Sequence, residues 1–143
     1  GMIVSEESGK DFFTIIHPKQ DTCLVVQHSV DTGVIWDAEY LMCANIVQHL
    51  QDFAGWKALL IAYNGGGVTE REIMLWAKRG WPVLLIAESG RVSERLAKDS
   101  EFLRLHPNVH VAENHAPALR LKLTELGAVK PTRANIRLVN SPT

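Results

Sequence analysis

The chain has 143 residues, 46% of them apolar, with 15 Lys+Arg against 16 Asp+Glu, the size and balance of one globular domain able to bury a core. No apolar run reaches the length of a membrane span and no apolar signal segment precedes the first strand, so neither a membrane span nor a membrane partner is expected. Residues 1–90 carry 6 Lys+Arg and 11 Asp+Glu while residues 91–143 carry 9 and 5, but the basic excess lacks interleaved aromatics and reads as a solvated face, not a nucleic-acid surface.

Gly1 before Met2 looks like a tag-cleavage scar, and residues 2–143 read as a single domain. Residues 3–11 are polar after the first apolar pair and are expected to be a frayed start or a loop. Phe12 to His17 is a short strand candidate stopped by Pro18. Thr22 to His28, with a continuous apolar centre, is a stronger one. Val34, Ile35, Tyr40, Leu41, Ala44, Val47 and Leu50 then recur at helical spacing, so a long helix is expected to end near Phe53, before Gly55. Cys23 in a strand and Cys43 in a helix fit a reduced, cytoplasmic chain better than a disulfide scaffold.

Ala58 to Tyr63 is an unbroken apolar run, the pattern of a parallel strand buried on both faces. It meets Asn64-Gly65-Gly66-Gly67, and a helix is expected from Thr69 to Arg79, stopped by Gly80. Val83 to Ala87 is a second buried strand, followed by the turn Glu88-Ser89-Gly90-Arg91 and one helix from about Val92 to Leu103. Val109 to Glu113 is a third strand, and a helix from Pro117 to Leu126 ends at Gly127. In the tail, Asn135 to Val139 is strand-like.

Alternation of strands and helices argues a Rossmann-like α/β fold, a parallel sheet with helices on both faces. In such sheets ligands sit beyond the carboxyl ends of the strands. Here those ends hold His28-Ser29, Asn64 to Gly67, Glu88 to Arg91, and Asn114-His115, the triple glycine and the Ser89-Gly90-Arg91 turn being the richest pair. Glycines let the chain take positive φ and bring bare N–H groups to a ligand, and the unpaired N–H groups of the next helix start favour an anion. A phosphate or carboxylate is therefore expected at Gly65 to Thr69, neutralised by Arg91 if the two strands are neighbours. The competing reading is structural: Thr69-Glu70-Arg71-Glu72 also has the spacing of a capping box.

Other residues carry weaker signals. His28 ends a strand at the expected ligand edge. His106, His110 and His115 fit no established zinc spacing, so no metal is expected. Ser29 and Ser89 lack the surroundings of a hydrolase nucleophile. Asp37 and Glu39 either reach the site or face water, and Trp36, Trp76 and Trp81 read as core or oligomer contacts.

NGGGVTERE resembles the glycine-rich signature, roughly PGGxGTxxE, of the SLOG superfamily, a Rossmann-like group that includes cytokinin-activating phosphoribohydrolases, molybdenum-cofactor carriers and the N-terminal domain of TRPM channels. Gly65, Gly66, Thr69 and Glu72 match, while Asn64 replaces the proline and Val68 the last glycine. GWPVLLIAESGRVSERLAKD is similar to the TRPM-type stretch in which a strand beginning with proline enters a GSGRAAD-like turn: Pro82, Ser89, Gly90 and Arg91 match, Glu94 holds the acidic position, and Glu88 departs from the first glycine. The resemblance, over residues 17–98, lies nearest the prokaryotic relatives of the TRPM domain.

It implies a small nucleotide ligand, ADP-ribose or a nucleoside monophosphate such as AMP, with no resident cofactor. In the phosphoribohydrolases the carboxylate matching Glu72 takes part in cleaving the N-glycosidic bond. Family members usually carry an earlier strand, glycine turn and helix that this chain is expected to lack, so either it is a trimmed version of the fold or another copy in a homo-oligomer, or a partner subunit, is expected to complete the site. Three functions follow: a nucleotide-derivative binding module using Asn64, Gly65, Gly66, Gly67, Thr69, Ser89, Gly90, Arg91 and His28; a phosphoribohydrolase using Glu72; or a structural domain that binds nothing.

Overall fold

The computed structural model describes residues 6–7, 10–11 and 38–130. The expected strands at residues 12–17 and 22–28, His28, Trp36, Asp37 and the strand-like tail lie outside them. The chain divides into two compact units, residues 1–56 and 57–143.

In the first unit, the stretch expected to be frayed or looped instead holds a small antiparallel pair, β1 (Glu6–Glu7) and β2 (Lys10–Asp11). The expected long helix is present as α1 (Ala38–Ala54), on which Cys43 is exposed.

Among its described residues the second unit holds three parallel strands in the order β3 (Leu60–Ala62), β4 (Val83–Ile86), β5 (Val109–Ala112). Four helices accompany them: α2 (Gly67–Lys78), α3 (Arg91–Ala97), α4 (Ser100–Leu105) and α5 (Ala116–Glu125). The fold is α/β and Rossmann-like, as the alternation predicts. Every residue of β4 is buried, as its unbroken apolar run requires. Leu84 and Ile86 pack with Ala112 against Leu119, Leu123 and Leu126 at the α5 side. Val83 and Leu85 point the other way by strand alternation and are equally buried, with α2 and α3 against β3 and β4.

Three expectations are corrected. β3 is less buried than its apolar run suggests: Ile61 is 51% exposed, and Tyr63, just beyond the strand, 62%. The helix expected at Val92 to Leu103 is two helices, since Asp99 breaks the first and caps the second, its side chain accepting from Phe102 N–H at 2.9 Å. And α2 begins at Gly67, two residues before Thr69.

Trp76 and Trp81 are buried, packed edge to face with ring centroids 5.0 Å apart. Asn108 ties this end of the unit, donating to Trp81 O at 2.6 Å and to Ala77 O at 3.2 Å.

Candidate functional site

Register places Ala62 beside Leu85, so the turns that leave β3 and β4 emerge together at one edge of the sheet. Both are tightly wound. Asn64, Glu88 and Arg91 are the non-glycine residues with positive φ among the described residues, at 60°, 55° and 50°, and Gly65 and Gly90 join them at 89° and 90°. Left-handed backbone costs an ordinary residue on the order of 1 kcal/mol. Its concentration in two adjacent turns must be held by surrounding contacts.

Two serines supply them. Asn64 N–H donates to Ser89 Oγ at 2.9 Å, and Ser89 Oγ donates to Ile86 O at 2.7 Å. Ser93 N–H donates to Asn64 O at 3.0 Å, so both backbone groups of Asn64 are gripped by the second turn and its helix. Ser93 Oγ, fully buried, donates to Ala62 O at 2.8 Å, with Ile86 O at 3.1 Å as a further acceptor, and itself accepts from Ile86 N–H at 3.1 Å. Ser89 was expected at a phosphate; its one hydroxyl proton is committed to Ile86 O, so it holds the glycine turn in place. Ser93 is missing from the candidate residues because its partners lie 7 and 31 positions away, and no local motif marks it.

Each glycine of the turn has its own geometry. A Cβ on Gly65 would stand 2.5 Å from Thr69 Cγ2 and 2.6 Å from Thr69 Oγ1, so the threonine packs where only glycine leaves room. A Cβ on Gly66 would lie 3.1 Å from Arg91 Nη2; the guanidinium of the second turn rests against the bare backbone of the first. On Gly67 a Cβ would meet only Arg71 Nη1, at 3.8 Å.

Gly66 is the N-cap of α2 and no side chain caps it. The capping box expected at Thr69 and Glu72 is not formed, because Thr69 is the third residue of the helix, not its cap. The first bond of α2 runs from Glu70 N–H to Gly66 O at 3.0 Å, which leaves the N–H groups of Gly67, Val68 and Thr69 without intrahelical acceptors. Glu70, in the same first turn, pairs with Arg95 of α3 at 2.7 Å. Glu72 lies three residues beyond Thr69, on its side of α2, and is half-buried. Asn64 Oδ1 is buried without a hydrogen-bond partner.

The second turn is finished differently. Gly90 caps α3, and its N–H donates to Glu94 Oε2 at 3.1 Å while Glu94 Oε1 takes Lys98 Nζ at 2.5 Å. The Lys98 hydrogen bond and charge, with a smaller part from Gly90 N–H, hold the Glu94 carboxyl below the usual carboxylate range, and Glu94 in turn raises Lys98.

Two of the histidines around β5 make structural contacts. His115 caps α5, its Nδ1 accepting from Ala118 N–H at 3.3 Å while Nε2 lies 2.7 Å from Glu113 Oε2, and His106 packs on Phe102. No group of His, Cys, Asp and Glu able to hold a metal occurs among the described residues, and no described helix is long and apolar enough to cross a membrane.

A family model described as "SLOG in TRPM, prokaryote" matches residues 10–130. No curated protein and no solved structure matches the chain.

Proposed function

The chain belongs to the prokaryotic SLOG family of TRPM type, and from that premise we propose that it is a binding module for a nucleotide derivative, ADP-ribose or a nucleoside phosphate, held by its phosphate at Gly65 to Thr69. The observation that carries the reading is the meeting of three open N–H groups at the start of α2 with the Arg91 guanidinium against Gly66. Backbone donors at a helix start and a planar cation are complementary to phosphate oxygens. Gly65, Gly66, Gly67 and Thr69 contact the phosphate, Arg91 neutralises it, and Asn64, Ser89 and Gly90 hold the two turns in register. His28 and a second subunit remain part of the proposal as further contributors to the site.

The test is native mass spectrometry of the purified protein alone and with AMP or ADP-ribose, beside Gly66→Asp. The expected result is a retained, unconverted nucleotide in the wild type and none in the variant; the same spectra count subunits. Absence of any bound nucleotide at millimolar ligand would leave only a structural domain. Release of the base from AMP, lost in Glu72→Gln, would replace the module with an N-glycosidase.

A further inference from the structure

Of the turn Glu88-Ser89-Gly90-Arg91, the phosphate reading uses every residue but the first. Only Ala87 separates Glu88 from β4. Its backbone is left-handed, with φ of 55°, a conformation that glycine takes freely and glutamate does not. The TRPM-type turn that this stretch resembles has glycine at the position, so the carboxylate is a feature of this chain's own sequence. The backbone around it is held from both sides: Ser89 Oγ accepts from Asn64 N–H of the glycine turn, and Glu88 O accepts from Asn114 Nδ2 at 3.5 Å. Glu88 itself is exposed, and no described residue hydrogen-bonds to its carboxylate. Lys98, whose charge it feels, donates to Glu94 instead.

β3, the glycine turn, α2 and β4 make one strand-helix-strand unit whose two strands pair side by side. In dinucleotide-binding folds a unit of this form holds phosphate at the helix start. An acidic residue about 20 positions beyond the glycines, at the end of the second strand, accepts from the ribose 2'-hydroxyl. Glu88 stands at that distance and at that strand end. Paired strands lie about 4.8 Å apart, a step that the sugar of a nucleotide bridges. We propose that Glu88 is the ribose-recognising residue of this chain: with a 5'-phosphate at Gly65 to Thr69, its carboxylate accepts from the 2'-hydroxyl, so the site takes adenine ribonucleotides in preference to their 2'-deoxy forms. The proposal rests on the phosphate reading of Gly65 to Thr69.

The test is titration calorimetry of the full chain with four ligands: AMP and ADP-ribose, each beside the form that lacks the 2'-hydroxyl of its adenosine. The wild type is expected to bind at least one parent about tenfold or more tightly than its 2'-deoxy form. Glu88→Gly is expected to weaken that parent about tenfold, the loss of one charge-assisted hydrogen bond, and to leave the 2'-deoxy form within twofold. Glycine takes the left-handed turn without strain, so the variant keeps the fold, which a Tm within a few degrees of the wild type checks. A wild type that binds parent and 2'-deoxy form alike, or a Glu88→Gly variant that weakens both alike or neither, overturns the proposal while phosphate binding stands. A wild type that binds none of the four, at millimolar ligand, overturns the phosphate reading as well.

Discussion

A side chain on Gly65 would collide with Thr69 while φ stays at 89°, so Gly65→Ala combines backbone strain with overpacking. We expect a loss of about 3 kcal/mol in urea unfolding. Gly80 supplies the control, having φ of 72° and nothing within 4 Å of a Cβ; Gly80→Ala is expected to lose only about 1 kcal/mol. Gly67→Ala meets ordinary contact distance without positive φ and is expected to change stability by less than about 0.5 kcal/mol. If all three variants unfold alike, the packing of Thr69 against the turn is wrong. The serine lock makes a second claim at this scale. Ser93→Ala leaves Ala62 O and Ile86 N–H without their buried partner, and unsatisfied buried groups cost about 1 to 3 kcal/mol. A stability within error of wild type would mean that the two turns are held by something else.

Whole elements differ in how much of them the sequence discloses. The β4 run and the three-glycine turn are local patterns, and both stand where spacing puts them. β3 has the same apolar run but an exposed Ile61, because a run of apolar residues does not say how far the neighbouring helices extend. The break between α3 and α4 is hidden for a related reason: Val92, Leu96 and Phe102, all buried, keep an apolar stripe across it, and only the Asp99 cap betrays the new start. Asp99→Ala is expected to cost about 1 kcal/mol. The Ser89 and Ser93 contacts are illegible in sequence because they join residues far apart along the chain. At α3 charge adds a pH dependence. Glu94 is held low by Lys98 and by Gly90 N–H, so its contribution is present above the carboxylate range and lost as pH falls through it. The stability gap between wild type and Glu94→Gln should be widest near neutral pH and close toward pH ~3. A gap independent of pH would detach Glu94 from the α3 cap.

At the scale of the molecule, any ligand that binds only the folded chain stabilises it by mass action. At a ligand concentration a hundredfold above Kd the gain is about 2.7 kcal/mol, which for a chain of this size raises Tm by roughly 8 °C. AMP or ADP-ribose should produce that shift in the wild type, and Gly66→Asp should not. The new carboxylate would sit beside the Arg91 guanidinium, taking the place of the anion without disturbing the backbone, so the unliganded variant should melt near the wild type. Salt separates this charge-driven binding from burial of the base. Arg91 is exposed, and between about 0.1 M and 1 M salt the screening length falls from ~10 Å to ~3 Å. Binding carried by the Arg91 charge should lose most of its Tm shift at the higher salt. A shift that survives it would move the source of affinity from the glycine turn to apolar contact with the base.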